Sequence, residues 1–265
     1  MKKLINWCKE HIFLITALFL VAFIPLYPKL PLINVIRTWV YIRFEDFLVA
    51  VAGIFLVIDV IRKRALPKTP LTTPIFWYFG IGFLCLLNAL CIIFPNNPNQ
   101  FFPHLAILHY LRRIEYMLVF FVAFKGLVGK KNIWPLIITI SGTMLLVLLY
   151  GLGQKFWGFP AFLTMNEEFA KGVPLRLPST ARIPSTFGGH YDLAAYLVFM
   201  IPIIGSLVIG TKKIWQKLLF FLLAVGGLII LLFTASRVSF GMYLVAVSAM
   251  LFFHKKSLFI LPVSS

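Results

Sequence analysis

The sequence predicts an all-α, polytopic membrane protein, and three observations carry that prediction. Of the 265 residues, 61% are hydrophobic and only 12% are charged, whereas a soluble domain is about one quarter charged. The apolar residues form long runs, several of them near the roughly 20 residues that a helix needs to cross a bilayer. The 25 basic residues, against 8 acidic ones, lie in short clusters between these runs, as at the ends of transmembrane helices. An ordinary soluble enzyme and a disordered chain are both excluded.

Eight apolar runs are predicted to be complete spans, and a ninth begins at Ser257 and stops at Ser265. No small-residue cleavage site follows the first run, so we expect a retained span rather than a signal peptide. Residues 1–265 are predicted to form a single transmembrane domain, and the interrupted ninth run predicts the N-terminal portion of a longer protein. The complete spans are Ile12–Tyr27, Phe44–Ile61, Ile75–Pro95, His109–Leu127, Ile133–Gly153, Tyr191–Gly210, Leu218–Ala235 and Phe240–Phe253.

The distribution of basic residues predicts a cytoplasmic N-terminus. With this orientation every cytoplasmic loop is short and basic, whereas the first complete outer loops mix their charges or, as in Asn96–Gln100, carry none. The chain is therefore predicted to be a multi-pass protein of the cytoplasmic (inner) membrane. The cytoplasmic clusters are Lys2, Lys3 and Lys9; Arg62, Lys63, Arg64 and Lys68; Lys125, Lys130 and Lys131; Lys212, Lys213 and Lys217; and Lys255 and Lys256.

A long loop, residues 154–190, joins the fifth and sixth spans on the predicted outer side. Loops of this length in compact structures are usually functional or disordered, and this one is too aromatic for disorder. We expect an ordered outer loop, for which an interfacial helix or a re-entrant segment is one arrangement. Its aromatic residues include Phe156, Trp157, Phe159, Phe162 and Phe169.

Acidic residues at the ends of the second span have structural explanations. Asp59 precedes Arg62 and Lys63 by three and four residues, so a pair on one helical face is predicted. Glu45 and Asp46 lie at the N-terminal end of this span, where the helix dipole favours negative charge. Dipole and capping effects explain these two carboxylates about as well as a catalytic role does.

Two adjacent arginines open the fourth span. Arg112 can reach Glu115 three residues later, which leaves Arg113 to point elsewhere. Interfacial anchoring by snorkelling and anion binding at the outer face both remain open for this pair.

Arg182 and Arg237 are the stronger candidates for anion binding. Arg182 precedes Gly188 and Gly189 and then the N-terminus of the sixth span, where backbone N–H groups attract anions. An arginine beside such a terminus predicts a phosphate site. Arg237 lies in the brief outer turn between the seventh and eighth spans, where the positive-inside rule disfavours a cation, so snorkelling explains it less well.

The residues predicted to lie at the outer face include several arginines, a few carboxylates and His190. This set fits an anionic substrate that is presented from the membrane surface. The sequence contains no P-loop and no His-Glu-x-x-His, Asp-x-Asp or Gly-x-Ser-x-Gly motif, so no metal and no cofactor is expected. A lipid-linked sugar diphosphate qualifies as substrate, because guanidinium groups can stabilise its leaving group. A carboxylate or a histidine can deprotonate the acceptor hydroxyl.

Three stretches resemble the O-antigen ligase and polymerase superfamily of bacterial surface polysaccharide assembly. They are LRRIEY at 111–116, RIPSTFGGHYDLAAY at 182–196 and LFTASRVSFG at 232–241. The second is similar to the family's Arg-x-x-(Gly/Ser)-Thr-Phe-x-x-x-x-x-Leu-Ala element, and the third to its Thr-x-Ser-Arg element. The order and spacing of the three stretches make the resemblance more specific than any single stretch would.

The resemblance implies a GT-C-like helical fold and metal-independent transfer of a glycan from undecaprenyl diphosphate to a lipid or glycan acceptor on the outer face. Arg182 and Arg237 match the arginines thought to hold the diphosphate, and Arg113 and Arg112 are candidates to assist. His190 and Asp192 are our own candidates for the acid/base. Family members usually have ten to twelve spans and a second large outer loop with a histidine, so this piece is expected to be inactive alone.

Three alternatives remain beside the ligase hypothesis. An O-antigen polymerase uses the same donor and differs in its acceptor. A transporter or flippase of lipid-linked sugars needs polar groups near mid-membrane, where Asn88 and Ser141 are among few. A non-catalytic scaffold predicts replaceable arginines. The expected partners are the lipid-linked donor, the acceptor and membrane lipids, and no nucleic acid is expected.

Overall fold

The computed structural model describes residues 11–33, 35, 41–64, 67–98, 101–127, 133–166, 168–178 and 180–260, the last six of these by backbone only. Within these ranges the protein is mostly helical with almost no sheet, which confirms the all-α prediction. The basic residues Lys2, Lys3, Lys9, Lys130 and Lys131 lie outside the described residues, as do 261–265.

Each of the eight predicted spans is helical over most of its length. A π-helical turn, Ala89–Ile93, and a short helix, Phe94–Asn96, continue the third of these helices. The largest difference at an N-terminus is in the fourth helix, which begins six residues early at Pro103, because proline is favoured in a first turn. The helices are α1 Ile12–Leu26, α2 Phe44–Lys63, α3 Thr72–Asn88, α4 Pro103–Leu127, α5 Ile133–Phe156, α6 His190–Gly210, α7 Ile214–Phe233 and α8 Arg237–Ile260.

The last helix differs from the prediction at its C-terminal end. We expected a separate ninth span to begin at Ser257, but α8 is helical without a break from Arg237 to Ile260. Lysines favour helix, and neither glycine nor proline occurs between His254 and Ile260, so nothing in the sequence interrupts the helix there.

Five helical segments of the described chain are long and apolar enough to cross a membrane. Helix α1 is apolar but shorter, and α2 and α4 contain several charged residues. The lengths and composition of these helices indicate a multi-pass membrane protein. The five segments are Thr72–Asn96, Ile133–Phe156, His190–Gly210, Ile214–Phe233 and Arg237–His254.

The chain forms two compact units. The first comprises Met1–Val21 and Phe44–Leu136, and the second comprises Ala22–Arg43 and Ile137–Ser265. Both units contain helices of membrane-spanning length.

In the first unit α2 and α4 lie parallel and in register, joined by two ion pairs. The Arg112 guanidinium donates to the Asp46 carboxylate over 2.9 Å. Lys125 pairs with Asp59, thirteen residues further along both helices, which is about 20 Å of helix. Asp59 also lies 3.3 Å from Lys63, as predicted from their spacing. The two ion pairs thus neutralise four of the charges that make α2 and α4 less apolar.

Small residues bring the helices of the first unit close together. A Cβ at Gly53 of α2 would lie 2.9 Å from a Leu118 methyl of α4. A Cβ at Gly126 would lie 2.6 Å from the Phe13 carbonyl oxygen of α1. Glycine at these two positions therefore allows a helix approach that a larger residue would prevent.

In the second unit α6 packs against α7 and α8 around an apolar core. A Cβ at Gly227 of α7 would lie 2.6 Å from the Met144 side chain and 3.0 Å from that of Ile201, so α7 approaches α5 and α6 closely. The core residues are Met144, Val147, Leu148, Ile183, Leu193, Ala194, Leu197, Ile201, Ile204, Phe220, Leu223, Ile230 and Leu231.

The described part of the long loop is mostly without regular secondary structure. Helix α5 extends to Phe156, and beyond it the described part of the loop contains one 3₁₀ turn, Phe169–Lys171, and a bridge between Ala161 and Leu175. An interfacial helix is not found in that part. The same unit contains a small antiparallel ladder of β1, Pro31–Ile33, and β2, Ile42–Arg43.

Candidate functional site

Residues 182–189, here called the arginine segment, are held against α5 by three hydrogen bonds at Ser185. The Ser185 backbone N–H donates to the Gln154 side-chain oxygen over 2.8 Å, and the Gln154 side-chain amide donates to the Ser185 carbonyl over 2.9 Å. The Ser185 hydroxyl donates to the Val147 carbonyl over 2.7 Å. Ser185 and Gln154 are both buried, so water does not compete for these bonds.

Two further contacts fix the C-terminal half of the arginine segment. The Thr186 hydroxyl donates to the Pro25 carbonyl near the end of α1 over 2.6 Å. The Thr164 N–H donates to the Gly188 carbonyl over 2.8 Å, and a Cβ at Gly188 would lie 2.2 Å from the Thr164 hydroxyl oxygen. Glycine at 188 therefore allows the Thr164 side chain to lie close against the arginine segment.

The arginine segment brings Arg182 into contact with His190. One guanidinium nitrogen of Arg182 lies 3.1 Å from Nε2 of His190. Because a guanidinium only donates hydrogen bonds, Nε2 is the acceptor, and the imidazole in this contact is neutral with its proton on Nδ1. His190 is buried and its ring lies against Tyr191, with centroids 4.0 Å apart, whereas Arg182 is exposed.

His190 is also the first residue of α6, so the contact lies at a helix N-terminus. Gly189 precedes the helix in an extended conformation, and no side-chain hydrogen bond caps the helix there. The N–H groups of a first turn carry partial positive charge and attract anions. Asp192 lies in the same turn and is exposed. The structure thus places Arg182, His190 and Asp192 at one helix end.

Arg237 begins α8 and is exposed. Its turn is a backbone neighbour of the arginine segment, because the Ile183 N–H donates to the Phe233 carbonyl over 3.3 Å. Thr234 and Ser236 in this turn are buried, and Ser236 bonds the Ser239 hydroxyl over 2.8 Å. The two arginines that the sequence singled out are therefore exposed residues on neighbouring, partly buried segments of one unit.

Both arginine-bearing turns contain a non-glycine residue in the left-handed conformation. Ser185 has φ 52° and Ala235 has φ 50°. Such a conformation costs an L-residue about 1–2 kcal/mol and persists only where the surroundings impose it. Arg64 is the third residue of this kind in the described chain. Backbone strain is therefore concentrated at the two turns that hold Arg182 and Arg237.

Arg112 and Arg113 belong to the first unit. Arg112 donates a hydrogen bond to Asp46 on α2, a partner that the sequence did not predict. It also interacts electrostatically with Glu115 on its own helix, which is the contact that the sequence predicted. Arg113 is exposed and donates to the Tyr78 hydroxyl over 2.7 Å, so it does point elsewhere, as expected.

Sequence reasoning missed the residues that support the site. Gln154, a polar residue at the end of an apolar span, is a signal that would have drawn attention to this position. The left-handed conformations of Ser185 and Ala235 have no such signal, because neither residue type favours them. In the described chain no three His, Cys, Asp or Glu side chains are grouped to hold a metal ion.

No family model, curated protein or solved structure matches this chain. The fold and the site define a multi-pass α-helical protein with an arginine–histidine contact at the N-terminus of a membrane-spanning helix.

Proposed function

We propose that the chain takes part in O-antigen ligase-like glycan transfer, in which a glycan moves from undecaprenyl diphosphate to an acceptor at the outer face of the cytoplasmic membrane. The observation that carries this proposal is the exposed Arg182 guanidinium, held 3.1 Å from His190 at the N-terminus of α6. A fixed guanidinium and a helix N-terminus both favour an anion, and a phosphate suits both.

A second guanidinium suits a diphosphate. Arg237 is exposed on the turn that is hydrogen-bonded to the arginine segment. In the proposed reaction the acceptor oxygen forms a bond to the sugar C1, and the bond from C1 to the phosphate oxygen breaks. The electron pair stays on the diphosphate, whose added charge the two arginines stabilise. This distribution of charge needs no separate cofactor.

A base takes the proton of the acceptor hydroxyl, and Asp192 is a better candidate for this base than His190. Its carboxylate is exposed in the first turn of α6, where an acceptor hydroxyl can approach. The Nε2 lone pair of His190 faces Arg182, so His190 acts as a base only after that contact opens. His190 instead orients the guanidinium in the resting site.

We also propose the eight-span, GT-C-like arrangement with a cytoplasmic N-terminus. Helices that cross in alternate directions make α2 and α4 parallel, and this agrees with their two in-register ion pairs. Pairing lowers the cost of placing these charges in a membrane. Exposed aromatic residues near the site, including Trp157 and Tyr191, suit a lipid–water interface.

The test is replacement of Arg237 in the full-length protein. We expect Arg237→Ala to abolish glycan transfer while the protein still accumulates in the membrane. Arg237→Lys is also expected to be impaired, because an ammonium does not reproduce the two-pronged contact of a guanidinium. Arg176→Ala, an exposed arginine of the same unit, is the matched control and should retain transfer. Transfer by Arg237→Ala at the control level would reject the proposal.

A polymerase is the same proposal with a growing glycan as acceptor, and offering both acceptors to the protein distinguishes the two. Transport of lipid-linked sugars is the second candidate. The observation that favours it is the π-helical turn Ala89–Ile93 beside Asn88 in a membrane-length segment, because such turns are frequent at functional sites. Movement of the lipid across proteoliposomes without an acceptor would support transport.

A further inference from the structure

The side chain of Gln154 makes three hydrogen bonds. Its amide nitrogen donates to the Ser185 carbonyl over 2.9 Å and to the Pro160 carbonyl over 3.1 Å. Its oxygen accepts the Ser185 N–H over 2.8 Å. Gln154 is 3% exposed, and a flipped amide would set its oxygen against two carbonyls. The orientation of this side chain is therefore fixed.

Two of these hydrogen bonds go to the backbone of the same residue, Ser185. Gln154 satisfies the N–H and the carbonyl of Ser185, much as a neighbouring strand would do. Ser185 has φ 52°, a conformation that its surroundings must impose. The Ser185 hydroxyl adds a bond to Val147, two helical turns before Gln154 on α5. Helix α5 thus holds the strained residue by its backbone and by its side chain.

The position of Ser185 decides where the neighbouring functional groups lie. Arg182 precedes it by three residues and His190 follows it by five. Ile183 and Pro184, between Arg182 and Ser185, are buried, so this stretch cannot shift as an exposed loop does. A displaced Ser185 would therefore change the distance between the Arg182 guanidinium and the His190 ring.

We propose that Gln154 is the positioning residue of the arginine–histidine site. Its amide fixes Ser185 in the left-handed conformation and thereby keeps Arg182 in contact with His190. The consequence for the lipid diphosphate rests on the proposed function, whereas the consequence for His190 does not. A residue that only stabilised the fold would change the melting temperature and leave the chemistry of His190 unchanged.

The experiment compares Gln154→Glu with Gln216→Glu in the full-length protein. Gln216 lies in the first turn of α7, in the same unit, and makes the second variant a matched control. A carboxylate at 154 keeps the acceptor for the Ser185 N–H and repels the two carbonyls that the amide serves. Gln154→Met removes the same bonds without burying a charge, and it provides the result if the glutamate variant does not accumulate.

The first measurement is the reactivity of His190 towards diethyl pyrocarbonate, which attacks an available imidazole nitrogen. Within residues 1–265 the other histidines, His11, His104, His109 and His254, are internal references. Loss of the Arg182 contact exposes the Nε2 lone pair, so we expect a several-fold faster reaction of His190 in both Gln154 variants. The second measurement is binding of undecaprenyl diphosphate, which we expect to weaken about tenfold, or about 1.4 kcal/mol.

Each outcome decides one question. A lower melting temperature for Gln154→Met, with His190 reactivity and lipid binding at the wild-type level, would overturn the positioning role. A change in His190 reactivity in the Gln154 variants but not in Gln216→Glu supports the role. If His190 responds in this way but even the wild-type protein fails to bind undecaprenyl diphosphate, the positioning role stands and the proposed function fails.

Discussion

The Ile183 backbone N–H donates to the Phe233 carbonyl over 3.3 Å, so the segments that carry Arg182 and Arg237 are neighbours. These residues are some fifty positions apart in the chain, and each stands beside a buried turn. A pair of unrelated lipid anchors would not need such a connection between their backbones. This contact places the two arginine-bearing segments side by side.

Replacing Arg182 by lysine should weaken the proposed diphosphate site and leave the fold intact. Lysine retains the charge, but it lacks the planar fork that can contact His190 and an anion together. We expect binding of undecaprenyl diphosphate to fall by at least tenfold and the melting temperature to stay within a few degrees. Equilibrium binding in nanodiscs measures the first quantity. Wild-type affinity in Arg182→Lys would show that a point charge is sufficient.

The ion pair between Asp46 and Arg112 should stabilise the first unit. Both side chains are largely buried, at 17% and 18% exposure, so Arg112→Ala leaves a carboxylate without this partner and should cost about 3 kcal/mol. Lys63→Ala is the control, because Lys63 is 66% exposed and should contribute at most about 1 kcal/mol. Unfolding in mixed micelles gives both values. Equal losses in the two variants would contradict the assigned role.

Gly188→Ala should disrupt the arginine segment. The new Cβ would lie 2.2 Å from the Thr164 hydroxyl oxygen, a distance that forces a backbone or side-chain shift. We expect a destabilisation of about 1–3 kcal/mol, partly restored in the double variant with Thr164→Ala. Gly142→Ala on α5 is the control, since nothing lies within 4 Å of its Cβ, and it should stabilise the helix by about 0.5–1 kcal/mol. Thermal unfolding distinguishes the two substitutions.

Thr186→Val should lower stability through the end of α1. Valine has nearly the same shape but no hydroxyl, so the Pro25 carbonyl loses a donor 2.6 Å away. Loss of this partly buried hydrogen bond should cost about 1 kcal/mol. Thr186→Ser keeps the hydroxyl and should retain most of the stability. A thermal midpoint for Thr186→Val that equals the wild-type value would mean that this bond contributes nothing.

The positions of the helices could be predicted from sequence because each requires a long apolar run, and a run is a local property. The ends were less predictable. Helix α5 continues past Gly153 to Phe156, and α8 continues past Ser257, because polar residues that end a hydrophobic run do not necessarily end a helix.

The charged residues of the candidate site could be predicted from the sequence, whereas the residues that hold them in place could not. Arg182 and Arg237 stand out because a cation at those places contradicts simple membrane-charge rules. The partners of Arg112 and Ser185 lie 66 and 31 residues away, so no short-range pattern reveals them. The tautomer of His190 likewise depends on a contact that only the folded chain creates.

The in-register pairing of α2 and α4 fixes the length of each helix between its two charges. Each added residue turns a helix by about 100°, so one insertion between Asp46 and Asp59 would swing a carboxylate off its cationic partner. Matching insertions in both helices would be needed to restore the alignment. Related chains should therefore vary freely in the apolar residues of this stretch, while the count of residues between the two acids stays constant.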